Sequence, residues 1–234
     1  MPPTPDGPIV RPSSGEQTAR YLRRLIFEGA LRPGDRVPQD DVAQALGVSR
    51  LPVREALLSL EREGWVTIRP HRGAFIAPLD ESVVWDHYAL FGLTYGFAAR
   101  RAALRLTPPV LSRLRELCDR LATNDDPDVV FRLNQEFDRL VRTTADSPRL
   151  RTLMRSMTGL IPGNFFALIP GAIAVERSGS IDIVNALARR DGPGAAAAYA
   201  RMLERQGDLV VGLFAERGLF PDSGTGAPPA RAAP

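Results

Sequence analysis

The stretch Gly47-Val48-Ser49-Arg50-Leu51-Pro52-Val53-Arg54-Glu55-Ala56-Leu57, residues 47–57, decides the reading of the fold. A glycine closes one helical pattern, Ser49 stands where the next helix needs its N-cap, and Pro52 falls in the first turn, where a missing N–H costs no intrahelical bond. Arg50 and Arg54 are one helical repeat apart and project from the same face, with Glu55 as a candidate internal charge partner. Val53, Leu57, Leu58 and Leu60 then carry the buried face to Gly64. A helix that opens with two arginines is suited to touch something anionic.

The flanking sequence gives this helix a setting. Upstream, Ala19, Leu22, Leu25 and Ile26 mark the apolar face of a helix from Gln17 to Glu28, "LRPGDRVP" supplies a turn, and a short helix runs from about Asp40 to Leu46. Downstream the periodicity changes: "WVTIRPHRGAFIAP" reads as two short strands, Trp65–Arg69 and Ala74–Ala77, around a turn with His71, Arg72 and Gly73. Three helices and a basic hairpin make a winged helix-turn-helix. In such a module the recognition helix enters the major groove and reads bases with its first residues. Arg50 and Arg54 can reach guanine edges or phosphates, Ser49 can cap or donate to a phosphate, and Arg69, His71 and Arg72 place the hairpin tip near the backbone or minor groove.

Composition sets outer limits. The chain has 234 residues, 44% hydrophobic, enough for one or two domains, and two is the working number. A net charge of +3 is too small for a bulk polyanion binder, so any nucleic-acid contact must come from a local patch. All 30 basic residues are arginine, as a codon bias would produce, although guanidinium is also the better bidentate ligand. The lone Cys118 lies in an apolar helical pattern with Leu114, Leu117 and Leu121, the start "MPPTPDGPIV" lacks the features of a signal peptide, and a cytoplasmic location is expected. The uncharged run Met157 to Val175 is broken by Pro162, Gly163, Pro170 and Gly171, so a buried helix–turn–helix segment is expected there, not a membrane span.

The expected fold class is mainly α: a winged helix-turn-helix over 15–78, then an all-helical bundle of six or seven helices over 79–220, with disordered tails at 1–14 and 221–234. Breaks fall at 107–109, 125–127, 146–148, 162–171 and 191–194. The first bundle helix, Ser82 to Leu104, is apolar over more than one face (Trp85, Tyr88, Leu90, Phe91, Leu93, Phe97), which implies burial on several sides.

The segment "GVSRLPVREALLSLEREGWVTIRPHRGAFI" closely resembles the recognition helix and wing of GntR-family transcriptional regulators, and the resemblance extends over residues 17–77. It implies that Ser49, Arg50, Leu51, Pro52, Arg54, Arg69, His71, Arg72 and Gly73 form the DNA-binding set. Leu51 departs from the family's usual hydroxyl residue, so that contact is lost or becomes an apolar contact to a thymine methyl. The helical part resembles the FCD domain of the FadR-type branch, through "RLNQEFDRLVRTTADSPRL" and "IDIVNALARRDGPGAAAAYARML".

Many domains of that type are known to hold a metal with one Asp and three His. The corresponding positions here are Asn134, Asp138, Ser180 and Met202, and the whole chain has two histidines, His71 and His87, so a three-histidine site is impossible. An amide, a carboxylate, a hydroxyl and a thioether make a poor shell for Zn, Ni or Mn, and no metal cofactor is expected. Family Arg and Glu positions in the first bundle helix are Phe91 and Tyr95, which weakens the case for a simple carboxylate effector. The expected effector pocket is apolar, with Phe91, Tyr95, Phe165, Phe166 and Met202 as walls and Asn134, Asp138 and Ser180 as polar handles. His87 reads as an interior histidine that with Asp138 could make at most a weak two-residue metal site.

The resulting expectation is a non-enzymatic, ligand-responsive homodimeric repressor that binds double-stranded DNA at a palindromic operator and responds to a small organic effector. Two alternatives stay open: a helical domain that serves only as a dimerisation scaffold, and a metal-responsive version with an atypical site. Neither a Gly-rich phosphate loop nor a Ser/His/Asp or Cys/His arrangement points to an enzyme, and the modest charge argues against a DNA-packaging protein.

Overall fold

A computed structural model describes residues 13–157 and 160–220. The chain divides into two compact units between Pro78 and Leu79. The N-terminal unit begins with α1 (Ser14–Phe27), whose N-cap Ser13 accepts a hydrogen bond from the Glu16 N–H at 3.1 Å. Ser13 and Glu16 have the spacing of a capping box, so residues 13 and 14, expected in the tail, belong to the helix. Residues 1–12 and 221–234 lie outside the described residues.

Thr18, Ala19, Leu22, Ile26 and Phe27 bury one face of α1 against α3 (Arg50–Arg62). A nearly buried ion pair fastens the two helices: Arg23 donates through Nε at 3.0 Å to Glu63, which also accepts from the Ser59 hydroxyl at 3.0 Å. Between them, α2 (Gln39–Leu46) ends at Gly47, whose φ of 63° is the left-handed conformation that closes a helix at least cost with glycine. On α3, Val53, Ala56, Leu57 and Leu60 are buried, but Leu58, expected in the core, is 54% exposed. At 100° per residue it lies past the edge of the stripe that its neighbours Leu57 and Leu60 define.

Strands β1 (Val66–Arg69) and β2 (Gly73–Ile76) pair antiparallel, Val66 opposite Ile76 and Arg69 opposite Gly73. Their turn closes with the Arg72 N–H donating to the Arg69 carbonyl at 3.0 Å, and His71 takes a φ of 59°. The segment read as a plain turn contributes more: Val37 N–H donates to Ala74 O at 2.9 Å and Ile76 N–H to Asp35 O at 2.9 Å, so residues 35–37 line the outer edge of β2.

Among its described residues the second unit has helices and no strand: α4 (Glu81–Arg105), α5 (Pro108–Thr123), α6 (Pro127–Ala145), α7 (Pro148–Ser156), the single turn α8 (Phe165–Leu168), α9 (Ala172–Ala188) and α10 (Gly192–Glu216). One device recurs at the breaks seen in the sequence. Asp126, Ser147 and Asp191 cap α6, α7 and α10 with their side chains, and a proline follows in the first turn. None of these helices is long and apolar enough to cross a membrane.

The core is built by Leu114, Leu117 and Leu121 of α5, Phe137 and Val141 of α6, Ile183 and Leu187 of α9, and Tyr199, Val210 and Phe214 of α10. Small residues bring α4 and α10 together: a Cβ at Gly92 or Gly96 would lie 3.2 Å from the backbone of Ala200 or Ala196. The expectation that α4 is buried on several sides is not met. Tyr88, Gly92, Gly96, Ala99 and Ala103 are buried, while Leu90, Leu93, Phe97 and Leu104 stand between 50% and 75% exposed.

Candidate functional site

Each unit carries one arrangement with chemical potential. In the N-terminal unit it is the start of α3. Ser49 has the extended backbone of an N-cap, but its hydroxyl makes no capping hydrogen bond, and the first turn holds no acidic residue. The orphan N–H groups of that turn favour an anion. Arg50, Leu51 and Arg54 are exposed, Leu51 at 64%, and Pro52 is half-buried. Glu55, expected as the local charge partner, instead faces α1, where a Cβ at Gly15 would come within 2.9 Å of its carboxylate. The partner is Asp40 of α2, whose two oxygens take Arg50 Nε at 2.7 Å and an Arg50 terminal nitrogen at 2.9 Å. Both ends of that fork are exposed, so it is screened and holds Arg50 by about 0–1 kcal/mol, little enough to yield to a stronger acceptor.

The hairpin places Arg69, His71 and Arg72 on the surface. Arg69 lies over the Phe75 ring at 4.8 Å. Gly73 is not at the tip but opens β2, with a φ of 101° and the Arg36 guanidinium 3.0 Å from where a Cβ would be. Its role is to admit Arg36 alongside the hairpin. Two guanidiniums, a helix N-terminus and a basic turn together fit the phosphates and base edges of a duplex.

In the helical unit, α4, α6, α8, α9 and α10 enclose a cavity of about 360 Å³. Of the residues expected at an effector site, Phe91, Tyr95, Asn134, Asp138, Phe165, Phe166 and Met202 line it. Ser180 does not: it is buried one layer behind, donating from its hydroxyl to the Glu176 carbonyl at 2.6 Å. Residues 87, 91 and 95 share a face of α4, and their rings form a ladder: His87 to Phe91 at 4.5 Å, Phe91 to Tyr95 at 6.1 Å, and Tyr95 to Tyr199 of α10 at 5.4 Å. The Tyr199 hydroxyl donates to Asp138 at 3.2 Å, so the ladder ends on a carboxylate.

Glu176 is the residue that sequence reasoning missed. It is 1% exposed, and its carboxylate accepts from Asn134 Nδ2 at 2.9 Å, the Ser180 hydroxyl at 3.1 Å and Gln206 Nε2 at 3.1 Å. Its signal was present: one of only two acids, with Asp182, in a helix, "AIAVERSGSIDIVNALA", that is apolar over most of its surface. Burial and the neighbouring Asp138 push Glu176 up to about 7. Burial also raises Asp138 to about 6, against the pull of Arg142 and the tyrosine hydroxyls. Burial alone takes His87 down to about 4, the neutral imidazole. Arg177, next to Glu176 in sequence, turns away to the Leu121 and Asn124 carbonyls and to Asp125.

These residues do not fit a transition metal. Glu176 already takes the Asn134, Ser180 and Gln206 donors, and among the described residues no three His, Cys, Asp or Glu side chains are grouped to hold an ion.

Comparison with known proteins gives this geometry a context. Residues 14–76 match the model of the gntR family of bacterial regulatory proteins, and residues 96–205 match that of the FCD domain. An uncharacterized HTH-type transcriptional regulator of Mycobacterium tuberculosis is 37% identical over 151 residues, 64% of this chain; the match spans 62% of that relative's length. The HTH-type transcriptional repressor RspR of Escherichia coli is 26% identical over 202 residues, covering 83% of this chain and 88% of the relative. Among solved structures, Escherichia coli McbR/YncC shares the fold at a TM-score of 0.58 and 22% identity, covering 87% of this chain and 98% of that one. A GntR family member from Pseudomonas syringae does so at 0.54 and 23%, covering 88% and 87%.

Proposed function

The chain belongs to the GntR family of bacterial regulatory proteins, with an FCD domain behind its winged helix, and from that premise we propose that it is a ligand-responsive homodimeric repressor that reads a palindromic operator. The observation that carries the reading is the exposed row of Arg50, Leu51 and Arg54 on the first turn of α3, beside a basic hairpin and in a unit with its own core. Arg50 and Arg54 read guanine edges or phosphates, Ser49 donates to a phosphate, and Leu51 packs on a thymine methyl where relatives hydrogen-bond. Arg69, His71 and Arg72 take the neighbouring backbone.

Support for a dimer comes from α4. Leu90, Leu93, Phe97 and Leu104 repeat at helical spacing along a face that one copy leaves in water, and a second copy would cover it. Two-fold symmetric proteins place one half-site under each subunit, hence a palindrome. The sign of regulation follows the relative RspR, named a repressor. A cavity lined by buried polar groups supports an effector over a pure scaffold, which would gain stability by filling that space with apolar side chains. The effector acts without a transition metal, in the cytoplasm, by binding one arrangement of the dimer more tightly than another.

Selection of bound duplexes from a random-sequence pool tests this. A single enriched two-fold symmetric motif, protected as one footprint, is expected; uniform coating of DNA or no motif refutes it.

A further inference from the structure

The cavity of the helical unit narrows the effector-binding reading, on which this inference rests. We propose that it takes a compact organic cation, an amine or ammonium nitrogen on a small apolar body, held between the aromatic ladder from His87 to Tyr199 and the carboxyl pair Asp138 and Glu176. The rings of the ladder line the cavity beside the carboxyls, an aromatic wall for the apolar body of such a ligand, while the two acids draw its charge. The ladder's last ring hands on to Asp138, so the π surface and the carboxylate meet in one corner.

The charges facing that corner come from every wall. Helix α4 contributes His87, held neutral, and Tyr95; α6 contributes Asp138 and the half-buried Arg142; α9 contributes Glu176, with the Cys118 thiol of α5 behind it; α10 contributes Tyr199 and the uncharged Gln206; α8 contributes rings only. With both carboxyls ionised, two negative charges stand against one guanidinium. Among the described residues, Arg177 is spent on the end of α5 and Arg205 of α10 donates to the Ser178 hydroxyl. Burial, and for Glu176 the neighbouring Asp138, keeps protons on these carboxyls; a cation seated between them lets both ionise, whereas a carboxylate would add a further negative charge. Phe91 adds a ring to this wall and no counter-charge for an acidic ligand.

The test is calorimetric titration of the full chain with benzylamine and benzyltrimethylammonium, against benzyl alcohol and benzoate as neutral and anionic matches of similar size. The cations should bind at least about tenfold more tightly than benzyl alcohol, with benzoate weakest. Glu176→Gln and Asp138→Asn, near in shape and checked for helical content and melting, should each weaken cation binding by about tenfold or more. Benzoate binding as tightly as the cations overturns the proposal. So does cation affinity unmoved in whichever variants fold, or no cation binding up to about 10 mM. The duplex selection on the native chain is read separately: no enriched motif sinks the regulatory reading even where cations bind, whereas a motif with rejected cations sinks this inference alone.

Discussion

The two candidate sites use charge in opposite ways. At the start of α3 the arginines stand in water, the pair of Arg50 with Asp40 is 69–77% exposed, and the surface is ready for a partner that supplies its own charge. In the helical unit the carboxyls are turned inward, tied by hydrogen bonds and surrounded by rings. Exposed charges are cheap to hold and easy to redirect to a new partner. Buried charges are costly, so they alter stability and persist only where they are satisfied or where something else repays them.

Substitutions can break this contrast, beginning with the largest effect. Phe137→Ala, at a side chain 1% exposed in the core of the helical unit, should lower its unfolding free energy by about 3–5 kcal/mol in urea titration. A loss under about 1 kcal/mol would mean that the core around the cavity is not packed as described. Next is the cost of the buried acid. Glu176 and Asp138 keep their protons in the folded protein beyond the pH at which the unfolded chain releases them. Their stabilising contribution is present at low pH and is lost as pH rises through about 6 and about 7. His87, pushed to about 4, runs the other way: its contribution is present above 6.5 and lost as pH falls toward 4. Two carboxyls outweigh one imidazole, so stability should fall from pH 5 to pH 8. Glu176→Gln should flatten that slope and exceed the native chain by about 1–3 kcal/mol at pH 8, measured by denaturant titration at each pH. An unaltered slope would show that Glu176 does not titrate in this window.

The smallest effect belongs to the outer site. Asp40→Ala removes the carboxylate that forks Arg50, and both ends are exposed, so folding stability should change by no more than about 1 kcal/mol. A loss of several kcal/mol in thermal or urea unfolding would make the pair structural and erase the contrast between the two regions.

The sequence disclosed these regions unequally, for physical reasons. The start of α3 is written in local signals: Gly47 closes one helix, Ser49 takes the N-cap position of the next, Pro52 fits its first turn, and the strands alternate at once afterwards. What stayed hidden there was non-local. Asp40, not Glu55, holds Arg50, and residues 35–37 add to the hairpin edge; both depend on how α2 is set against α3. The cavity was half legible. Phe91, Tyr95, Asn134 and Asp138 were named from positions in a family pattern, but which turn of α9 faces them was not readable. That rotation depends on Gly179, where a Cβ would run into Met202, and it turns Glu176 inward and sets Ser180 behind it. The apolar surface of α4 shows the remaining limit: Leu93 and Phe97 look like core because composition does not say which apolar residues the fold will turn outward.

The most direct test of the account is fluorescence anisotropy of the selected duplex titrated with the native chain, Arg54→Ala and Arg62→Ala, the last at the far end of the same helix. The account predicts that Arg54→Ala weakens specific binding by about 1–3 kcal/mol, roughly 5- to 150-fold, with Arg62→Ala within about twofold of native. Equal affinities for the native chain and Arg54→Ala would contradict it.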